Sequence, residues 1–91
     1  MKYRFKATER YWHVFYALPP AQKKSVRAAW AIFKLDPFDP RLGTHKIHRL
    51  TARYRVNVYS VVIEGDLRAV FYLQGDLVVT VDLGTHDIYQ A

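Results

Sequence analysis

Two β-type runs near the C-terminus constrain the fold of this chain more than any other feature of its sequence. They span Arg68–Leu73 and Leu77–Asp82 and flank the loop Gln74-Gly75-Asp76. A short glycine-containing loop between two such runs predicts a β-hairpin, and a three-residue loop would place the apolar side chains of both strands on one face. The predicted cross-strand pairs are Leu73 with Leu77, Phe71 with Val79, Ala69 with Val81 and Arg68 with Asp82. The segment Gly84-Thr85-His86-Asp87 would then leave the sheet beside Arg68.

The open end of this hairpin is predicted to combine a permanent cation with a group that titrates near neutral pH. Arg68 can hold two phosphate oxygens in a fork, and His86, with an unperturbed pKa of about 6.5, can transfer a proton. Cleavage of RNA by its own 2′-hydroxyl needs a base, an acid and a cation for the charged phosphorane. The second proton-transfer group could be any one of four residues: Tyr89, Lys46, His45 or His48. In the structural alternative, His86 caps a turn and Arg68 forms an ordinary cross-strand ion pair with Asp82.

The strand before this hairpin is predicted to span Tyr54–Ile63 and to turn at Gly65-Asp66. That turn would place Arg68 opposite Ile63. Cations and aromatic faces together are what sequence-independent RNA contacts require. The residues expected on the open face are Arg55, Tyr59, Arg68 and Tyr72. The residues expected under the helices are Val56, Val58, Phe71, Val79 and Val81.

The first third of the chain is predicted to form a strand and a helix hairpin. Charged and aromatic residues alternate over Lys2–Lys6, which indicates a strand. Thr8 can cap a helix that continues to Leu18. Pro19-Pro20 ends that helix and opens a second one, which runs to about Leu35. The buried stripe of the second helix is predicted to be Val26, Ala29, Trp30 and Phe33.

These elements predict a single α+β domain that spans residues 1–91. Its order is an N-terminal strand, a two-helix hairpin and a three-stranded antiparallel meander, with the helices packed on one face of the sheet. The first strand would pair with the last strand or lie at another edge. The short basic segment His45–Leu50 would lie at the rim of the sheet.

The composition narrows the partners and the chemistry. The formal net charge of +6 favours acidic partners such as nucleic acid, the ribosome or an acidic protein. The chain has no cysteine, which excludes disulfides and thiolate metal sites. His45, His48 and His86 are not spaced as a zinc set, so we expect neither a metal nor a cofactor. No stretch is apolar enough to cross a membrane, and we expect a cytoplasmic protein with no membrane partner.

Three segments in the second half of the chain carry a resemblance to a known family. They read DPFDPRLGTHKI, YRVNVYSVVIEGDLRAVF and VVTVDLGTHDIY, in this order. Together they resemble the RelE/ParE superfamily of toxins from type II toxin–antitoxin modules, and specifically its RelE-like branch that carries a GTH motif. The resemblance implies a RelE-like fold, with which the predicted helix hairpin is consistent.

The resemblance also implies roles for individual residues. Arg68 matches a phosphate-binding arginine, His86 a proton-transfer histidine and Tyr89, more loosely, a tail aromatic residue. Arg55 matches a basic residue that contacts or protonates the RNA, and Lys46 matches the lysine of the family's HKL segment. The complete set of predicted RNA-binding residues is Arg55, Lys46, His48, Tyr59, Lys23, Lys24 and Arg27, the last three directed at ribosomal RNA. The chain departs from the family at Asn57 and Arg49, where relatives carry a lysine and a glycine.

The activity that the resemblance implies is that of an mRNA interferase. Such a toxin is a ribosome-dependent endoribonuclease that cuts mRNA in the ribosomal A site, leaves a 2′,3′-cyclic phosphate and inhibits translation. One alternative is a ParE-like inhibitor of DNA gyrase, and another is a non-toxic family member that acts mainly through antitoxin binding. The expected partner in each case is an acidic antitoxin that wraps the basic surface. Operator DNA would be reached only through that antitoxin.

Overall fold

The computed structural model describes residues 3–85 and 87–88, which form a five-stranded sheet and three helices. The elements are β1 (Arg4–Ala7), α1 (Glu9–Ala17), α2 (Pro20–Phe33), a 3₁₀ turn (Pro40–Leu42), β2 (His45–Lys46), α3 (His48–Tyr54), β3 (Asn57–Glu64), β4 (Leu67–Gln74) and β5 (Leu77–Gly84). The strand order across the sheet is β1-β5-β4-β3-β2. β1 runs parallel to β5, and the remaining pairs are antiparallel. The predicted α+β order and the antiparallel meander are confirmed.

The helix hairpin forms where the sequence predicts it. The hydroxyl oxygen of Thr8 accepts the N–H of Tyr11 and so caps α1. Thr8 also donates its own N–H to the carbonyl of Thr80, which ties the start of the helix to β5. Pro20 occupies the first turn of α2, where a missing N–H costs nothing.

The helix hairpin covers one face of the sheet, which we call the hairpin face. Phe71 of β4 lies at its centre with 0% of its surface exposed, and its ring contacts that of Phe33 at a centroid distance of 5.1 Å. Tyr11 and Phe15 of α1 are buried in a neighbouring cluster. Trp30, predicted to be buried, remains 40% exposed.

A third helix, which the sequence analysis missed, covers part of the opposite face. Tyr54 and Arg55 were predicted to begin a strand, but residues 48–54 form α3 and the strand starts at Asn57. Leu50 of α3 packs against Val58 and Val70, so we call this the α3 face. The rim prediction for the basic segment is correct only for His45–Lys46, which form the edge strand β2.

The turn between β4 and β5 differs from the predicted one. Gln74 pairs with Leu77, so the loop contains two residues rather than three, and Gly75 adopts the left-handed φ of 62° that such turns require. A bulge then shifts the register between Val70 and Phe71. The predicted pair of Arg68 with Asp82 is therefore wrong, and Arg68 lies opposite Gly84.

A second bulge changes the face assignments on β3. The register shifts between Val62 and Glu64, so that Arg68 pairs with Val62 rather than with Ile63. Because a one-residue slip moves a side chain to the other face, Tyr59 lies opposite Phe71 on the hairpin face, away from Tyr72. The predicted open face that combines Tyr59 with Arg68 and Tyr72 is wrong. Val56, Val58 and Val81, predicted under the helix hairpin, belong instead to the cluster on the α3 face.

Phe71 should be the largest single contributor to core packing. We expect Phe71→Ala to lower the free energy of unfolding by about 3–5 kcal/mol, because the fully buried ring would leave a cavity that its neighbours fill only partly. Phe71→Leu retains part of the volume and should lose less. Leu35→Ala, at a side chain that is 77% exposed, is the control and should change stability by no more than about 0.5 kcal/mol. Equilibrium unfolding in urea measures all three, and equal losses at positions 71 and 35 would contradict the packing.

Arg55 should be strained by its backbone conformation. It ends α3 with φ 61°, and it is the one non-glycine residue with positive φ in the described ranges 3–85 and 87–88. A left-handed conformation costs a residue with a Cβ about 1–2 kcal/mol, and glycine adopts it without that cost. We expect Arg55→Gly to raise the free energy of unfolding by about 0.5–1 kcal/mol and Arg55→Ala to produce no such gain. Urea unfolding of the two variants separates the backbone effect from loss of the side chain. Identical changes in the free energy of unfolding in both variants would refute the backbone strain at Arg55.

Candidate functional site

Arg68 lies at the start of β4, on the α3 face of the sheet. Its Cα pairs with Val62 on one side and with Gly84 on the other. The guanidinium turns back over the β3–β4 turn, where Nη1 donates to the carbonyl oxygens of Gly65 at 2.6 Å and of Leu67 at 3.2 Å. In the part of the chain that the structure describes, no carboxylate forms an ion pair with Arg68. This half-buried cation is therefore held by neutral acceptors, and its charge is available to an anion.

The carboxylate predicted to pair with Arg68 has a different partner. Oδ1 of Asp82 lies 3.1 Å from Nε of Arg10 in α1, and the same oxygen accepts the N–H of Leu83 at 2.8 Å. Asp82 exposes 15% of its side chain, whereas Arg10 exposes 68%. The sequence analysis did not identify Arg10, because the two residues stand far apart in the chain and no motif links them. The pair anchors β5 to α1 at the bulge.

The chain after β5 returns onto the α3 face. The N–H of Ile88 donates to the carbonyl oxygen of Thr85 at 3.0 Å, and the Ile88 side chain packs against the apolar cluster of that face. Gly84 permits this return, since a Cβ at that position would lie 2.8 Å from Cγ2 of Ile88. The predicted site residues His86 and Tyr89 lie outside the described residues, so their part in the site stays a prediction.

An apolar groove with a volume of ≈ 660 Å³ lies on the α3 face. Its floor is formed by side chains of α3, the central strands and the tail: Leu50, Val58, Val70, Tyr72, Val81 and Ile88. Arg10 and Asp82 also line the groove. A concave apolar surface with few polar groups is typical of a binding site for an apolar segment or ligand.

Three other predicted RNA-binding residues, Lys46, His48 and Arg55, are exposed. Lys46 is in the edge strand, His48 begins α3 and Arg55 ends it. Lys46 pairs with Tyr59, which in turn pairs with Phe71, two strands and three residues from Arg68. At the usual strand spacing and rise, the two Cα atoms are separated by about 14 Å. The structure does not bring Lys46 and Arg68 together on adjacent strands.

Tyr59 does not form part of the site around Arg68. Its ring stacks on Phe71 at a centroid distance of 5.3 Å and contacts the edge of Phe38 at 5.0 Å. These contacts place it in the hydrophobic cluster of the hairpin face. The half-buried ring is a packing residue in this arrangement, and its predicted place beside Arg68 is wrong.

The other three predicted RNA-binding residues, Lys23, Lys24 and Arg27, are on α2 and therefore on the hairpin side of the sheet. Lys24 and Arg27 are exposed, and Lys23 is partly exposed. The guanidinium carbon of Arg27 lies 5.4 Å from the centroid of the Phe15 ring. The predicted functional residues are thus divided between two surfaces on opposite faces of one sheet.

Burial raises the pKa of Tyr11 in the core, and the other pKa shifts that the structure produces lie in surface pairs remote from Arg68. Hydrogen bonds from the side chain and backbone of Arg41 lower the pKa of Asp39 to about 2, in the cap of the 3₁₀ turn. A hydrogen bond from Arg4 lowers the pKa of Asp76, in the β4–β5 turn. Both carboxylates have structural roles in capping a turn or bracing a strand.

Two further findings concern the described part of the chain alone. No three histidine, aspartate or glutamate side chains within it come close enough together to hold a metal ion. No helix within it is both long and apolar enough to cross a bilayer.

The fold is similar to that of two solved toxin-related chains. A chain of the archaeal RelE–RelB complex from Pyrococcus horikoshii superposes with a TM-score of 0.72 at 16% sequence identity, over 93% of this chain and 96% of that chain. A copper-bound mutant toxin from Helicobacter pylori superposes with a TM-score of 0.60 at 14% identity, over 94% and 97%. No protein-family model and no curated protein sequence matches the chain. The sheet, the helix hairpin and the meander together therefore have the RelE-like toxin fold.

Proposed function

We propose that the chain is the toxin of a type II toxin–antitoxin module and that it cleaves mRNA in the ribosomal A site. The observation that carries this proposal is the environment of the Arg68 guanidinium. The described residues supply it with no carboxylate partner, and strand pairing places it opposite Gly84, the first residue of the GTH segment. The RelE-like fold, together with an arginine at the start of β4 that has no acidic partner among the described residues, supports a phosphate-binding role for Arg68.

The proposed reaction is an intramolecular transfer within the RNA. A base removes the proton of a 2′-hydroxyl, the oxygen attacks the adjacent phosphorus, and the bond to the 5′-oxygen breaks as an acid protonates it. The products are a 2′,3′-cyclic phosphate and a free 5′-hydroxyl, with no net gain or loss of protons. Arg68 would exchange its two backbone carbonyl acceptors for phosphate oxygens and stabilise the phosphorane. His86 would carry out one of the two proton transfers.

The other site residues would support this reaction at a distance. Lys46, His48 and Arg55 are exposed beside α3 and would contact phosphates of flanking nucleotides rather than the one that Arg68 holds. Tyr89 stays in the proposal as the candidate for the second proton-transfer group. The matched family lysine is replaced by Asn57, which leaves this role to another residue of the chain.

An acidic antitoxin is the proposed partner. The apolar groove on the α3 face would receive an apolar segment of that antitoxin, and the net charge of +6 would attract its acidic residues. Occupation of the groove next to β4 and the tail would block access to Arg68. Operator DNA would be contacted through the antitoxin, and the ribosomal partner would be RNA.

Substitution of the two proposed chemical groups tests the reaction. We expect wild-type protein to arrest growth and to cut mRNA on ribosomes, leaving ends with a 2′,3′-cyclic phosphate. Arg68→Ala and His86→Ala should each lower the cleavage rate by about 10²–10⁴-fold, because each removes one charge or proton-transfer step. Arg68→Lys keeps the charge but loses the fork, so its rate should fall between those of wild type and Arg68→Ala.

Primer extension on mRNA from a purified translation system measures these rates. Arg49→Ala is the matched control, since it removes an exposed cation from α3 without touching β4. Cleavage at the wild-type rate in both the Arg68→Ala and the His86→Ala variants would end the nuclease assignment. A wild-type protein that is not toxic at all would favour a member that acts mainly through antitoxin binding.

One observation favours a second candidate, a ParE-like inhibitor of DNA gyrase. The groove on the α3 face is apolar, as expected for contact with a protein rather than with RNA. This activity would need neither Arg68 nor His86 as a chemical group. In a supercoiling assay with purified gyrase, the nuclease proposal predicts no inhibition by wild type. Equal inhibition by wild type and by His86→Ala would replace the nuclease with this candidate.

A further inference from the structure

The formal charge of the chain is concentrated in its first third. Residues 3–34 contain seven cations and one acid, a net charge of +6, whereas the rest of the chain contains seven of each. The cations are Arg4, Lys6, Arg10, Lys23, Lys24, Arg27 and Lys34, and the acid is Glu9. This part comprises β1, α1 and α2, so the whole net charge belongs to the helix hairpin and the strand beside it. Such asymmetry is typical of proteins that contact nucleic acid.

The same hairpin exposes three large aromatic side chains. Trp12 is 45% exposed, Tyr16 67% and Trp30 40%. Trp12 and Tyr16 stand one turn apart on α1, and their rings stack with a centroid distance of 5.9 Å and an interplanar angle of 25°. Exposed aromatic residues that form a group mark interaction sites, whereas isolated ones need no explanation.

A cleft of ≈ 250 Å³ between α1 and α2 brings these side chains together, and we call it the aromatic cleft. Its walls are Trp12 and Tyr16 on one side and Arg27 and Trp30 on the other. The cleft is on the hairpin side of the sheet, so it is separated by the sheet from Arg68 and from the apolar groove.

Cations follow one edge of the aromatic cleft at helical spacing. Lys23, Arg27, Trp30 and Lys34 recur at intervals of four, three and four residues along α2 and its C-cap, which places them on one stripe of the helix. The stripe is roughly 16 Å long at 1.5 Å per residue. Lys34 and Arg27 are exposed. An aromatic wall beside a row of cations is the arrangement by which proteins bind single-stranded nucleic acid without reading its sequence.

We infer that the aromatic cleft binds a single-stranded segment of nucleic acid. Bases stack on the exposed faces of Tyr16 and Trp30, and the phosphates contact Lys23, Arg27 and Lys34. A double helix does not fit this arrangement, because its bases already stack on one another and offer no free faces to the rings. This binding does not depend on the nuclease reaction, since it uses no group from the α3 face.

Intrinsic fluorescence gives a direct signal, because Trp12 and Trp30 are the two tryptophans of the chain and both line the aromatic cleft. The probes are an eight-nucleotide oligouridylate RNA, an eight-nucleotide oligothymidylate DNA and a duplex of the same length. We expect the single strands to quench the tryptophan fluorescence and the duplex to do so far less. Comparison of the two single strands shows whether the ligand is RNA or either nucleic acid.

Variants at two exposed positions then test the stacking and the charge separately. Tyr16→Ala should weaken single-strand binding by about 5- to 150-fold, while Tyr16→Phe, which keeps the ring, should stay within about twofold of wild type. Arg27→Gln should reduce the dependence of log affinity on log salt by about 0.7, because one fewer cation would neutralise a phosphate of the single strand. Arg49→Gln is the charge-matched control on α3 and should leave the affinity unchanged.

Two further outcomes decide the proposal. Arg68→Ala should bind as tightly as wild type, so loss of cleavage and loss of binding in the aromatic cleft can be told apart. Absence of quenching by either single strand at low salt, or equal affinity in wild type and Tyr16→Ala, would overturn the proposal. Quenching by a polyglutamate peptide without quenching by either oligonucleotide would also overturn it and would assign the surface to an acidic protein segment.

Discussion

The structure depends on β4 being packed from both sides. Phe71 faces the helix hairpin and is fully buried, and Val70, its neighbour in the chain, faces α3 and is 3% exposed. A strand with apolar contacts on both faces cannot slip by one residue without moving each side chain into the wrong layer. β4 is also hydrogen-bonded on both sides, by β3 and by β5. The position of Arg68 in the fold is therefore set by the core, although its guanidinium is at the rim.

The two faces of this sheet have different surface chemistry. The hairpin side contains the cations of α2 and the exposed aromatic residues Trp12, Tyr16 and Trp30, whereas the α3 side contains an apolar groove and the cation Arg68. Positive charge attracts a polyanion over several ångströms. An apolar groove, by contrast, contributes to binding only when its partner contacts it and displaces water. Separate faces permit a nucleic-acid contact on one side while a protein segment occupies the other. The Arg10–Asp82 pair connects the two sides, because it joins α1 to the bulge of β5.

The sequence was sufficient for the helix hairpin and the meander but not for α3 or for the register of the strands. Alternation of apolar residues predicted the meander, and Pro19-Pro20 predicted the break between the helices, because both signals are local. The two bulges were not predictable in this way, since no glycine stands at Ile63 or Val81 and the extra residue is accommodated by tertiary packing. α3 was missed because it has seven residues and no side-chain cap, which leaves too little local signal. Arg10 was missed because its partner is distant in the chain.

The errors in register alter the chemistry expected of the candidate site. With Asp82 opposite Arg68, the arginine would have been neutralised by a mostly buried carboxylate, and a phosphate would have had to displace a charged partner. The two-residue turn and the bulge at Val81 each shift the register by one residue, so that Gly84 lies opposite Arg68, and Asp82 is engaged by Arg10. A phosphate then competes only with the backbone carbonyls of Gly65 and Leu67, whose hydrogen bonds are weaker than an ion pair in the same setting. These two one-residue shifts in the β4–β5 register thus separate an arginine that braces the sheet from an arginine that is able to bind an anion.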